Sequence, residues 1–322
     1  MKKILLAITL LFSLGLHAQD EVAFEISDGI DAGAVKNNME QNTSRLLTAI
    51  NRAQSTGTDI NYNGVNIDNL ASQSIGMMWN NVHFRIVDDD IVEHCLRVST
   101  SKGALINYQV RNIAIEMIPI DDAYEGDVNQ EVCINYDKTG RITDFNITMG
   151  VQQYRNLLKE GERLNDYDRR MQILHWVEQF RNAYCQKDIE FMENVFSDDA
   201  LIITGKVVKR QHTDMKPITK VQYTTRTKQE YLASLRSVFK NNSYINVKFD
   251  DIEIVRHPAK INYYGVTLKQ GWFTKNYHDE GIVFIVWDFT DEMHPKIMVR
   301  TWQPLDEEDK GNVFTLNSFK LN

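Results

Sequence analysis

The stretch Phe180–Val207 reads FRNAYCQKDIEFMENVFSDDALIITGKV and decides the fold of the C-terminal half. It opens inside an amphipathic helix whose apolar residues recur on one face. A polar turn at Lys187 and Asp188 ends this helix, and a second short helix runs to Phe196. The step Asp198-Asp199-Ala200 then leads into a strand, so the stretch predicts helix, short helix and strand in that order. The apolar face of the first helix comprises Ile173, Leu174, Val177, Phe180 and Tyr184.

The residues that follow predict one more helix and a run of strands. A polar segment continues to about Thr227, and a helix is predicted over Lys228–Lys240. The tail, Val313–Leu321, is compatible with an additional edge strand. The intervening segments are rich in β-branched and aromatic residues, which predicts an antiparallel meander. Its strands are Ile245–Val255, Gly265–Tyr277, Gly281–Thr290 and Lys296–Gln303.

This order of elements, with the acidic turn and the Asp-Asp-Ala step, resembles the nuclear transport factor 2-like (cystatin-like cone) superfamily over about residues 168–304. The resemblance implies helices packed on a curved antiparallel sheet that encloses a cavity. It implies no single activity, because the superfamily includes isomerases, dehydratases and binding modules without catalysis.

One activity in the superfamily can be tested residue by residue. Ketosteroid isomerase-like members use a tyrosine and two aspartates for proton transfer. Alignment through the acidic turn and the Asp-Asp-Ala step places Phe180 at the tyrosine, Thr204 at the catalytic base and Ile285 at the other aspartate. Each replacement removes a titratable group, so the sequence argues against this isomerase chemistry.

The sequence leaves two hypotheses for the function of the C-terminal domain. The first is a non-enzymatic binding or dimerisation module with an unknown protein partner. The second is a site inside the cone for a small hydrophobic ligand, used for binding or for a lyase-like or isomerase-like reaction. By the resemblance, the wall of that site includes Tyr184, Thr204 and Trp287. An open, polar cavity favours the second hypothesis, and a filled one favours the first.

The segment GIVFIVWDF, residues 281–289, is apolar on both of its alternating faces. A strand of this kind is expected to be covered on both sides. One side is predicted to face the helices of the cone. The other is predicted to pack on a second copy of the chain, on a docking partner or on the N-terminal domain.

The N-terminal half is predicted to be a separate α+β domain of two helices and an antiparallel meander. Helical spacing of apolar residues predicts helices over Asp31–Gln54 and Ile67–Trp79. The clearest hairpin turn is Asp137-Lys138-Thr139-Gly140. The predicted strands are His83–Val87, Ile91–Ser99, Leu105–Ile118, Glu131–Tyr136 and Arg141–Thr148.

The chain is predicted to begin with a secretory signal peptide over residues 1–18. Lys2 and Lys3 precede an apolar run that is too short to span a bilayer, and Ala18 supplies a small residue for cleavage. The mature protein is therefore expected to be periplasmic or secreted, with no membrane span. The remaining predicted segments are the N-terminal domain at 20–150, a helical linker at 151–166 and the cone domain at 167–322.

Composition argues against several other functions. The formal net charge is −8, and no concentrated basic face is present, so nucleic acid is not an expected partner. Histidine and acidic spacings match neither a zinc site nor a calcium loop, so no metal or cofactor is predicted. In an oxidising compartment the three cysteines allow one internal bridge, for which Cys95 and Cys133 are the candidates. Cys185 is expected to be a buried small hydrophobe.

Overall fold

The computed structural model describes residues 21–100, 104–119, 127–149, 164–212 and 217–321. These residues form two units, one up to Thr148 and one from Met149 onward. Each unit combines helices with a six-stranded sheet, which confirms the predicted α+β class. The predicted signal peptide and most of the predicted linker helix lie outside the described residues.

The first unit contains two helices and one sheet. Helices α1 and α2 span Ala34–Thr56 and Asn69–Asn81. The sheet order is β1-β3-β4-β5-β6, and β2 pairs with β4. The strands are β1 Ala23–Asp28, β2 His83–Ile86, β3 Asp90–Ser99, β4 Leu105–Ile118, β5 Asn129–Tyr136 and β6 Ile142–Ile147.

Local sequence signals set the boundaries of these elements. Gly57 ends α1 in the left-handed conformation at φ 65°, which glycine adopts without a steric penalty. Asp68 caps α2, because its side chain accepts a hydrogen bond from the backbone N–H of Leu70 at 2.9 Å. In the predicted hairpin turn, Asp137 accepts hydrogen bonds from the backbone N–H groups of Thr139 and Arg141.

Strand β1 corrects the predicted meander of the first unit. It pairs in parallel with β3, with Phe24 opposite Ile91, so the sheet is mixed rather than purely antiparallel. Parallel pairing requires a long connection, which α1 and α2 supply. Phe24 and Ile26 are buried while Ala23 and Glu25 are exposed, so the alternation typical of a strand is present in the sequence.

All three cysteines are buried free thiols, so the candidate bridge between Cys95 and Cys133 is not formed. Strand β4 lies between β3 and β5, which carry these residues. Two interstrand spacings separate the two Cα atoms by about 9–10 Å, whereas a disulfide needs less than about 7 Å. Burial raises the pKa of Cys95 to about 11, so its thiol stays protonated near neutral pH.

The second unit contains a sheet in the order β8-β7-β12-β11-β10-β9. Its helices are α3 Leu164–Gln186, α4 Ile189–Val195, α5 Lys228–Asn241 and α6 Asp306–Asp309. Its strands are β7 Phe196–His212, β8 Pro217–Arg226, β9 Asn246–Arg256, β10 Tyr263–Thr274, β11 Tyr277–Asp288 and β12 Lys296–Pro304. No helix of the described residues is long and apolar enough to cross a membrane.

The structure corrects two expectations about this sheet. The segment that was predicted to be a polar connection up to Thr227 instead forms the long strands β7 and β8, which pair antiparallel with Thr204 opposite Thr224. The sheet is also mixed, because β12 pairs in parallel with β7, where Arg300 lies opposite Ile202.

The C-terminal tail does not form an edge strand but packs across the outer face of the sheet. Leu316 begins a short 3₁₀ turn and is buried in a cluster with Phe284, Val286 and Val299. The backbone of Gly265 makes room for this residue, since a Cβ there would lie 2.9 Å from Leu316 Cγ. The tail therefore covers part of the second apolar face of β11 within the chain itself.

Candidate functional site

One face of the second sheet packs against α3 and α5, and its two ends differ. We call one end the base, and it consists of Phe180, Ile285, Trp287 and Phe289. All four side chains are fully buried. Phe180 packs edge-on against Trp287 with ring centroids 6.3 Å apart, and Trp287 packs against Phe289 at 6.0 Å. The base is thus a filled aromatic core.

The same strands become polar toward their other end. On β10, Gln270 and Trp272 follow Leu268 at alternate positions, so the three side chains share one face. On the neighbouring β11, Leu268 lies opposite Val283, and Trp272 lies opposite Asp279. Along this one face, the cross-strand pairs therefore change from two apolar residues to a pair that includes a carboxylate.

A cavity of about 620 Å³ lies at this polar end, and we call it the mouth cavity. Strands β7, β8, β10, β11 and β12 and helix α5 contribute its walls. Its volume falls within the range of about 300–1,000 Å³ that is typical of small-molecule pockets. The second unit is therefore filled at the base and open at the mouth.

Helix α5 forms one wall of the mouth cavity with residues three or four positions apart, which share one helical face. The start of the helix is fixed by Thr227 and Glu230, whose side chains and backbone N–H groups form a reciprocal capping box. The helical side chains that line the cavity are Tyr231, Ser234, Leu235 and Val238, and Asn242, which caps the end of the helix, also contributes.

Arg300 of β12 is the most unusual residue of the cavity wall, because a charged side chain is only 5% exposed there. One guanidinium nitrogen donates to Gln270 Oε1 at 3.4 Å, and Cζ lies 5.7 Å from the centre of the Tyr231 ring. Its Nε is buried and has no hydrogen-bond partner among the described residues. Burial opposes the charge, but the neighbouring Tyr231, Tyr184 and Asp279 outweigh it and hold the pKa of Arg300 above its ordinary value.

Two tyrosines, Tyr184 and Tyr231, lie between the base and the mouth cavity. The hydroxyl groups of Tyr184 and Tyr231 are 2.6 Å apart and buried. Tyr184 also packs edge-on against Trp272, with ring centroids 5.3 Å apart. Burial raises the pKa of Tyr184 well above its ordinary value, and Tyr231 adds to the rise while Arg300 opposes it. The Tyr184 hydroxyl therefore acts as a neutral hydrogen-bonding group.

A second arginine, Arg226, also lines the mouth cavity. Arg226, the last residue of β8, donates from Nε to Thr204 Oγ1 at 3.2 Å and from Nη1 to Ser234 Oγ at 2.9 Å. Both partners are neutral hydroxyl groups. These hydroxyls hold the cation at the cavity without neutralising it. A carboxylate also lies nearby, because hydrogen bonds from Thr227 and the charge of Arg226 lower the pKa of Glu230.

Trp302 of β12 also lines the mouth cavity and occupies space that two glycines leave free. A Cβ at Gly205 would lie 2.5 Å from Trp302 Cε3, and a Cβ at Gly281 would collide with the same indole. Trp302 is 4% exposed, and its indole N–H has no partner among the described residues.

The three wall residues expected from the sequence occupy different places. Thr204 lines the mouth cavity, next to Arg226. Tyr184 lies one layer behind the wall and reaches the cavity through Tyr231. Trp287 belongs to the base, where it packs on Phe180. Sequence reasoning missed Arg226, Arg300 and Trp302, although the alternation of β12 places Arg300 and Trp302 on one face.

Comparison with known proteins gives partial structural likenesses and no activity. No protein-family model and no curated protein sequence matches the chain. A nuclear transport factor 2-like protein from Cytophaga hutchinsonii is 17% identical, with 42% of this chain and 98% of that chain covered and a TM-score of 0.31. A similar protein of unknown function from Shewanella oneidensis is 13% identical, with 41% and 96% covered and a TM-score of 0.30.

The Bdellovibrio bacteriovorus protein Bd1075 is also similar, at 17% identity and a TM-score of 0.35. The match spans 45% of this chain and 43% of that chain, less than half of either. These likenesses are partial, and no activity follows from them. The order of elements predicted by the resemblance over residues 168–304 is present in the second unit, namely helix, short helix, strand, helix and meander, with β8 as an additional strand before the third helix.

Proposed function

We propose that the chain is an exported, non-enzymatic binding module whose second unit takes up a small molecule in the mouth cavity. The observation that carries this proposal is the convergence of Arg300 and Trp302 with the apolar Leu235 and Val238 around one cavity of about 620 Å³. Small-molecule sites combine an apolar lining with a few fixed polar groups in this way.

The outer face of the sheet is a weaker candidate for the binding surface. Leu316, Phe314 and Phe319 of the tail pack against Phe284 and its neighbours on that face. Contacts with the tail of the same chain therefore explain part of the apolar pattern of β11. That pattern had suggested dimerisation or docking.

Two features of the sequence support the proposals of export and of binding without catalysis. The run of residues 1–18 has the charged, apolar and small-residue segments of a signal peptide, which supports export to the periplasm or beyond. The positions aligned with isomerase acid–base groups are Phe180, Thr204 and Ile285, which supports binding without that chemistry.

The test uses N-phenyl-1-naphthylamine, an uncharged dye whose fluorescence rises in apolar surroundings. The protein is titrated with the dye, alongside Ser234→Trp and Ser237→Trp. Both serines are exposed on α5, but only Ser234 lines the mouth cavity. We expect saturable binding to the unmodified protein and to Ser237→Trp, and a loss of at least tenfold in affinity in Ser234→Trp, because the indole fills the cavity.

Circular dichroism of the three proteins checks that both variants are folded. Equal dye binding by all three would place the binding elsewhere and contradict the proposal, as would an absence of saturable binding to the unmodified protein.

A further inference from the structure

We propose that the ligand of the mouth cavity is a small organic acid, with a carboxylate bound by Arg300 and an apolar body held against α5 and Trp272. The inference rests on the proposed function and specifies the chemical class of its ligand. It depends on the unmet hydrogen bonding of Arg300, on the charge of the cavity and on the arrangement of its apolar walls.

Arg300 has more donor capacity than the protein uses. A guanidinium carries five N–H donors in a fixed plane that suits the two oxygens of a carboxylate. The side chain is 5% exposed and interacts with the Tyr184 hydroxyl and, through its charge, with Asp279. Its hydrogen bond to Gln270 is long at 3.4 Å, and its Nε has no partner among the described residues. A buried charge with unmet donors is costly, and a bound carboxylate removes much of that cost.

The charge of the cavity also favours an anion. The described lining residues include three cations, Lys206, Arg226 and Arg300, and one carboxylate, Asp279. The hydrogen bonds of Arg226 and Arg300 go to neutral groups, namely hydroxyls and the Gln270 amide. Two carboxylates act on them at longer range, Glu230 on Arg226 and Asp279 on Arg300. This cationic lining contrasts with a whole chain whose formal net charge is −8. A cleft of one sign concentrates ligands of the opposite sign.

The remaining walls fit an apolar body rather than an inorganic ion. Leu235 and Val238 of α5 face the cavity together with the rings of Trp272 and Trp302. Planar rings and aliphatic side chains bind flat or branched carbon skeletons by excluding water. The cavity of about 620 Å³ is also far larger than one phosphate or sulfate requires.

The test compares a matched pair of probes, biphenyl-4-carboxylate and its uncharged analogue biphenyl-4-carboxamide. Both are titrated by isothermal calorimetry into the unmodified protein, Arg300→Met and Arg256→Met. Arg256 is an exposed arginine of β9 that does not line the cavity, and it serves as the control. Methionine keeps much of the arginine volume and removes the charge and the donors.

We expect the acid to bind the unmodified protein about 10- to 100-fold more tightly than the amide, which is the range for a hydrogen bond to a charged group. Arg300→Met should abolish this preference by weakening the acid alone, and Arg256→Met should retain it. The comparison of the two probes in the unmodified protein needs no variant, so it holds even if Arg300→Met fails to fold.

Three results would overturn the inference: equal binding of acid and amide, a preference for the acid that persists in Arg300→Met, or no binding of either probe. The uncharged dye separates these results from a failure of the proposed function. If the dye still binds and Ser234→Trp still blocks it, the cavity is a binding site for a neutral ligand.

Discussion

The base and the mouth cavity lie on the same face of the same strands, yet they differ in almost every physical respect. At the base, Phe180, Trp287 and Phe289 fill the space between sheet and helix. At the mouth, about 620 Å³ is left open beside Arg300. The comparison indicates that one end of the sheet stabilises the fold, whereas the other end is available for a ligand. Each of the following substitutions tests one side of that contrast.

The largest effect is expected at the base. Trp287→Ala removes a fully buried indole that packs on Phe180 and Phe289. Partial collapse cannot refill such a space, so the free energy of unfolding should fall by about 3–5 kcal/mol. Urea denaturation of the second unit measures this change. A loss below about 1 kcal/mol would show that the base is not the core described here.

A smaller effect is expected on the outer face, where the tail packs. Leu316→Ala should lower the free energy of unfolding by about 2–3 kcal/mol, because Leu316 is 8% exposed and lies in the cluster with Val286 and Val299. The control is Leu305→Ala at an exposed position, with an expected change within about 0.5 kcal/mol. Equal urea midpoints for the two variants would show that the tail does not cover the sheet.

A third substitution tests the fit of Trp302 in the mouth wall. Gly205→Ala places a methyl group against the indole ring, which must shift at a cost of about 1–2 kcal/mol. Binding of N-phenyl-1-naphthylamine should weaken in parallel. Gly76→Ala in α2 is the control, because nothing lies within 4 Å of its added Cβ, and it should slightly stabilise the protein. If Gly205→Ala is as stable as the parent and binds the dye equally, Trp302 is not held as described.

The smallest effect on stability is expected at Arg300, although the residue is as buried as a core side chain. Arg300→Met should change the free energy of unfolding by less than about 1 kcal/mol, because the desolvation cost of the charge disappears together with its hydrogen bonds. The same urea titration compares it with Trp287→Ala. A loss of about 3 kcal/mol or more would make Arg300 a structural residue and remove the contrast between base and mouth.

Much of the second unit could be predicted from short-range patterns. The helical spacing around Phe180, the acidic turn at Asp188 and the two-sided apolar strand at residues 281–289 each correspond to an observed element. These features depend on neighbours along the chain and on apolar periodicity, which a single sequence displays directly.

The features that were missed depend on contacts between distant residues. The β7–β8 hairpin escaped prediction because Lys206, Val208 and Tyr223 are exposed, so no apolar face marks it as a strand pair. The tail covers residues far from it in the chain. Arg300 was missed because an arginine in a strand is ordinarily solvent-exposed, and only the pairing with Ile285 and Ile202 reveals that it is enclosed.

A crystal structure of the full chain with biphenyl-4-carboxylate is the sharpest test of whether the mouth cavity, and not the base, binds a ligand. We expect density for the biphenyl rings between α5 and β10, with the carboxylate oxygens about 3 Å from the guanidinium of Arg300 and the base unchanged. Rings inserted among Phe180, Trp287 and Phe289, or a mouth closed by its own side chains at saturating probe, would contradict it.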